Sequence, residues 1–196
     1  MVSDTGSRQY REPMTALDPD RLAGSLPAGA RTDWFIDPAT GVATDSAPLR
    51  LVSPPDGDFQ LRAQVRAELR ATFDAGALFV HGAPDCWAKL ALERSPDGVD
   101  TIVTVVTRGV SDDANGVAVP TPGETWLRVS RIGAVYAFHH SADGVRWSLA
   151  RLFTLGPTGD HRVGVSSQSP TGAGLTASFT DVLLTATTLS DPRDGS

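Results

Sequence analysis

The chain lacks most of the features that announce a function directly. It has a single cysteine, Cys86, so no internal disulfide can form. That excludes the disulfide-stapled class of small secreted domains. No apolar run approaches the ~20 residues a membrane helix needs. Residues Met1 to Pro13 contain no apolar stretch of signal-peptide type, and a cytoplasmic setting is the expectation. Basic charge does not dominate: 17 Lys and Arg stand against 23 Asp and Glu, a formal net charge of -6. Nucleic-acid binders usually show a basic patch, so that class is set aside. The acidity speaks to solubility and not to fold.

Nucleotide and serine-hydrolase signatures are also missing. There is no Gly-x-Gly-x-x-Gly, no phosphate loop and no Gly-x-Ser-x-Gly. Gly109, Gly116 and Gly123 are too far apart to form a cradle. Histidines number only four. His139 and His140 are adjacent in a strand pattern and point to opposite faces, so they cannot grip one metal together. No metal site and no cofactor are expected.

What the chain does contain is β patterning. From Phe59 to Arg70, Phe59, Leu61, Ala63, Val65, Ala67 and Leu69 alternate with Gln60, Arg62, Gln64, Arg66, Glu68 and Arg70. A two-residue period marks a half-buried strand, and the three- and four-residue spacing of a helix is absent. The stretch from Asp74 to Asp100 reads as two strands joined at Gly82-Ala83-Pro84-Asp85. Val99 to Arg108 is rich in β-branched residues, as in a strand covered on both faces. Further strands are expected at Asp33–Asp37, Leu49–Ser53, Glu124–Arg131, Ala134–His140, Val145–Leu155, His161–Ser167 and Leu175–Thr187. Asp143-Gly144 is a hairpin signal. Gly109 to Gly123 reads as one long loop.

Residues 1–30 read as a flexible arm, with one helical turn near Asp18-Pro19-Asp20-Arg21-Leu22. Residues 31–189 form the domain, and 190–196 a frayed tail. Short strands at regular spacing with almost no helix predict an all-β jelly-roll sandwich of two antiparallel sheets. High Ala, Arg, Asp and Gly usage fits a bacterial source.

Several stretches carry a resemblance when taken in order. They are Thr32-Asp-Trp-Phe, Ala75-Gly-Ala-Leu-Phe-Val, Trp87-Ala-Lys-Leu-Ala-Leu-Glu93, Thr104-Val-Val-Thr, Ser111-Asp112 and Trp126-Leu-Arg-Val. They continue with Ser141-Ala-Asp-Gly-Val-Arg-Trp147, Val163-Gly-Val, Ser169-Pro170 and Phe179-Thr-Asp-Val. Together they resemble a family of unknown-function domains typified by a fungal regulator-of-enolase protein. The resemblance implies a concanavalin A-like lectin/glucanase sandwich, with ligands of related proteins held in the concavity of one sheet. The Glu-x-Asp-x-x-Glu type cluster of glucanases does not occur here, so glycoside hydrolysis by that machinery is not expected.

Candidate site residues follow from the faces. Trp87, Lys89 and Glu93 share one strand face, opposite Ala88, Leu90 and Leu92. They offer an aromatic plane and two charges to a sugar-sized ligand; the plain alternative is a solvated face with a surface Lys–Glu pair. Trp126, Arg128 and Ser130 repeat the arrangement, and the two faces merge into one groove if their strands are neighbours. Asp112, in the expected loop, adds a polar contact, with calcium as a further reading of its acidic neighbours. His81 and Glu93 are the candidates for acid–base catalysis. Cys86, Trp34 and Trp147 read as core. The functional expectation is a small-molecule or carbohydrate-binding module without cofactor, nucleic acid or membrane partner. The alternatives are a lyase, isomerase or cyclase step in the same concavity, or a regulatory partner of a metabolic enzyme.

Overall fold

A computed structural model describes residues 19–156 and 160–196. A 3-10 turn at Pro19–Arg21 opens the described chain. The strands follow as β1 (Gly24–Gly29), β2 (Trp34–Ile36), β3 (Ala43–Asp45), β4 (Leu49–Val52), β5 (Phe59–Ala67), β6 (Ala75–Ala83) and β7 (Cys86–Arg94). Then come β8 (Asp100–Arg108), β9 (Val110–Ala118), β10 (Glu124–Ile132), β11 (Val135–Ser141), β12 (Ser148–Thr154), β13 (Arg162–Gln168) and β14 (Gly174–Thr185).

Two six-stranded antiparallel sheets hold almost all of them. The first runs β1-β14-β5-β10-β11-β12 and the second β4-β13-β6-β7-β8-β9; β2 and β3 pair as a separate hairpin. Alternation decides what lies between the sheets. Leu61, Ala63 and Val65 of β5, Leu127 and Val129 of β10, and Phe138 of β11 point inward from the first sheet. Leu78 and Val80 of β6, Ala88, Leu90 and Leu92 of β7, and Val163 and Val165 of β13 meet them from the second. The architecture is the all-β sandwich that the periodicity predicts. One polar pair is sealed in this core, Tyr136 Oη to His161 Nδ1 at 2.8 Å. Cys86 packs at its margin, with Sγ donating to the Leu155 carbonyl at 3.1 Å.

Three sequence expectations change. The stretch from Gly109 to Gly123 is not one long loop: Val110–Ala118 forms β9, paired to β8 at the edge of the second sheet. Its Ser-Asp-Asp-Ala-Asn-Gly composition is poor in strand formers, but an edge strand with most side chains in water needs little apolar content. Within the expected arm, Gly24–Gly29 is a strand on β14, while residues 1–18 lie outside the described residues. The segment 190–196 is not frayed but packs on the first sheet through bonds to Arg128 and His139.

Gly164 shows how closely β4 and β13 approach. An added Cβ would lie 1.8 Å from the Arg50 carbonyl oxygen, a backbone atom that cannot move aside. Gly164→Ala is expected to lower unfolding free energy by about 3 kcal/mol, read by urea denaturation. An unchanged midpoint would contradict the β4–β13 pairing.

Candidate functional site

The outer face of the second sheet carries the Trp87, Lys89 and Glu93 set. Cross-strand pairing places His81, Trp87, Thr107 and Ser111 in one row, and Phe79, Lys89, Val105 and Asp113 in the next. This face is not an open platform, because the β2–β3 hairpin lies on it. Trp34 packs edge-on against Phe79, His81 and Trp87, with ring centroids 5.4 to 5.8 Å apart. Its Nε1 donates to the Ala47 carbonyl at 2.8 Å, and the Ile36 amide donates to Ser111 Oγ at 2.9 Å. Trp87 is fully buried.

Lys89 is the pin that holds the hairpin down. Its ammonium donates to Asp33 Oδ1 at 3.0 Å, the Trp34 carbonyl at 2.7 Å and Gln168 Oε1 at 2.7 Å. An ammonium has three protons, so all are in use. Glu93 lies on the same face, paired with Ala75 across β6, and is 7% exposed. Its carboxyl makes no hydrogen bond or ion pair among the described residues. Burial pushes it up to about 7; Lys89 pulls the other way, while Asp33 and Asp113 add to the rise.

The two catalytic candidates do not meet. His81 pairs with Trp87, and Glu93 lies at the other end of β7. At ~3.3 Å per residue they stand about 20 Å apart along the strand. His81 is held below its ordinary value, first by burial and then by Arg162. Asp112 is on neither outer face. It pairs with Val106 on the inward register and binds Arg151 of β12 at 2.8 Å, clasping the two sheets at their edge.

Trp126 and Arg128 belong to the other sheet. β7 is in the second and β10 in the first, so the two mixed faces point away from each other and form no common groove. On the first sheet's outer face, the rows are Gln64–Trp126–Ser141, Arg62–Arg128–His139 and Gln60–Ser130–Ala137. Trp147 is not core. It follows the Ser141–Gly144 turn and lies against Arg128, whose guanidinium is 4.3 Å from the ring centroid. Arg62 is 5.8 Å from the centre of Trp126. Both tryptophans are half-buried. Gly144, with φ +73°, lets the turn lie on the Trp126 ring, where an added Cβ would come within 2.8 Å of Cε2.

Sequence reasoning found Trp126, Arg128 and Ser130 and missed Arg62, His139 and Trp147. Arg62 lay in view within the alternation of β5, one register step from Arg128. Only the β5–β10 pairing shows that they are neighbours.

The family described as "Protein of unknown function (DUF1349)" matches residues 19–187. The chain belongs to this family. It is similar to regulation of enolase protein 1 of Saccharomyces cerevisiae, 29% identical over 163 residues, covering 83% of this chain and 81% of the yeast protein. A crystal structure of a functionally unknown S. cerevisiae protein matches with TM-score 0.74 at 28% identity, over 83% of this chain and 87% of that one. More distant structures share the sandwich. A GH43 protein of Bacillus licheniformis matches with TM-score 0.64 at 15% identity, over 87% of this chain. A xylan β-1,4-xylosidase of Bacillus halodurans matches with TM-score 0.62 at 12% identity, over 79% of this chain. This chain spans only about a third of their lengths, 36% and 31%, and the likeness is one of fold. Among the described residues, no helix is long and apolar enough to cross a membrane.

Glu93 supplies a pH test. Unfolded, it ionises near its ordinary 4.5; folded, near 7. Between these the folded state keeps a proton that the unfolded state has lost. The stability due to neutral Glu93 is complete below 4.5 and is lost as pH rises through 7. Glu93→Gln is expected to gain on the wild type by on the order of 3 kcal/mol between pH 4.5 and pH 8, read by denaturant unfolding at both. An equal difference at the two pH values would show that the carboxyl titrates normally.

Proposed function

We propose that this protein is a small-molecule-binding β-sandwich with carbohydrate as its ligand class, and that the ligand docks on the outer face of the first sheet. The observation that carries this reading is the pair of half-buried tryptophans, Trp126 and Trp147, with Arg62 and Arg128 against their rings. Aromatic rings give a sugar a flat apolar surface, and fixed polar groups orient its hydroxyls. The second sheet's outer face supports binding less well, because Trp87 and Lys89 are engaged by the protein's own hairpin.

Acid–base chemistry gains no support from a His81–Glu93 pair about 20 Å apart. A regulatory partnership with a metabolic enzyme is favoured by one observation, the name of the yeast relative. Co-purification of such an enzyme with no ligand response would select it.

Titration with xylo-oligosaccharides and with monosaccharides of differing charge is expected to quench tryptophan fluorescence. Trp126→Ala should weaken the response at least tenfold, about 1.4 kcal/mol. Equal binding by Trp126→Ala and wild type would move the site away from this face.

A further inference from the structure

Five buried side-chain polar atoms lack a hydrogen-bond partner among the described residues, and four lie on the first sheet's outer face. They are Arg62 Nε, Arg128 Nε, Ser130 Oγ and His139 Nδ1. Arg62, Arg128 and His139 occupy one cross-strand row, with Ser130 in the next. Directly opposed residues in such a row have Cβ atoms ~5 Å apart, and like charges placed so destabilise a sheet. Neither arginine has an acidic partner among the described residues. Burial, then Arg62, pushes the Arg128 guanidinium down to about 10. Unmet buried donors cost free energy, more so when charged. Against that cost, the arginines have their contacts with the Trp126 and Trp147 rings, which leave both Nε–H groups unmet.

What covers this face is the segment 188–196. It begins over Gln60, whose Nε2 donates to the Thr188 carbonyl at 3.4 Å. It passes through buried Leu189. Beyond Leu189, among the described residues, main-chain carbonyls bind it to the arginine row: Arg128 donates to the Gly195 oxygen at 2.8 Å, and His139 Nε2 to the Pro192 oxygen at 2.8 Å. Among the described residues its other main-chain bonds are internal, such as Gly195 amide to Asp191 carbonyl at 2.9 Å and Ser190 amide to Ser196 carbonyl at 2.8 Å, while the Thr188 side chain also bonds Asp58. The segment therefore holds itself together and adds no strand to the sheet.

We propose that Arg62, Arg128 and Ser130 form a site for the carboxylate or phosphate of an acidic sugar, and that segment 188–196 sits there as a weaker, displaceable stand-in. Its neutral carbonyls leave both Nε–H groups and the Ser130 hydroxyl unmet. An oxyanion accepts several charge-assisted bonds at once and offsets the arginine–arginine repulsion. His139 adds an acceptor: with Nε2 donating to Pro192, its Nδ1 is bare and suits a sugar hydroxyl. Burial holds this ring at about 4, so it stays neutral at physiological pH. This inference rests on the carbohydrate reading above and narrows it to anionic sugars.

The test uses glucose, glucuronate and glucose 6-phosphate at constant ionic strength, with chloride as the control anion. Thermal shift and calorimetry are run on the full chain. Two variants are added. Gly195→Val places a side chain where an added Cβ already lies 2.7 Å from Arg128 and 2.8 Å from Trp147, so it should lift the segment. Arg62→Met removes one of the two opposed charges. The expected result is at least tenfold tighter binding of glucuronate or glucose 6-phosphate than of glucose. Gly195→Val should tighten it further, and Arg62→Met should lose the preference while melting no lower than wild type. If glucose binds as well as the acids and Arg62→Met leaves all three unchanged, the anion assignment is overturned and the carbohydrate reading stands. If none of the three binds wild type or Gly195→Val, both fall.

Discussion

The inward residues of the central strands of the two six-stranded sheets fill the core between them, and the two-residue strand period then dictates what the outer faces must carry. Leu127 and Val129 face inward from β10, so Trp126, Arg128 and Ser130 must face outward. Ala88, Leu90 and Leu92 do the same for Trp87, Lys89 and Glu93 on β7. Neither outer face is left bare. The chain covers the second with the β2–β3 hairpin and the first with segment 188–196.

The two covers differ in chemistry. Under the hairpin, the buried Lys89 ammonium meets one carboxylate, one carbonyl and one amide oxygen, a full set. A buried charge holds its place when every proton is accepted. Trp34 closes over Trp87 with aromatic packing, leaving Trp87 Nε1 as the one unmet buried atom on this side among the described residues. Under segment 188–196, two guanidiniums share a row with no acid between them, and four polar atoms go unmet. The first cover completes the fold, whereas the second fills a place that better-matched chemistry would fill more favourably.

How much of this was legible in the sequence depends on whether the signal is local. Alternation along Phe59–Arg70 and the β-branched run Val99–Arg108 placed β5 and β8 because period and composition live in the strand itself. β9 was hidden because Ser111, Asp112, Asp113 and Asn115 are turn formers by composition, and only pairing to β8 makes them a strand. β1 was hidden by Gly24, Ser25 and Pro27, tolerated at a sheet edge. The outward register of Trp87 and Trp126 was readable, but which sheet each joins was not, since strand order is a long-range outcome. For the same reason Arg62 stood out no more than the other polar residues of the Phe59–Arg70 alternation, and Trp147, outside any strand, read as core by extension of the β12 pattern.

The account turns on segment 188–196 being a stand-in that yields to an acidic sugar. Hydrogen–deuterium exchange with and without saturating glucuronate asks this directly. The prediction is faster exchange across Leu189–Ser196, together with slower exchange in β10 and the facing part of β5. Protection of both, or change confined to β6 and β7 of the other sheet, would contradict it.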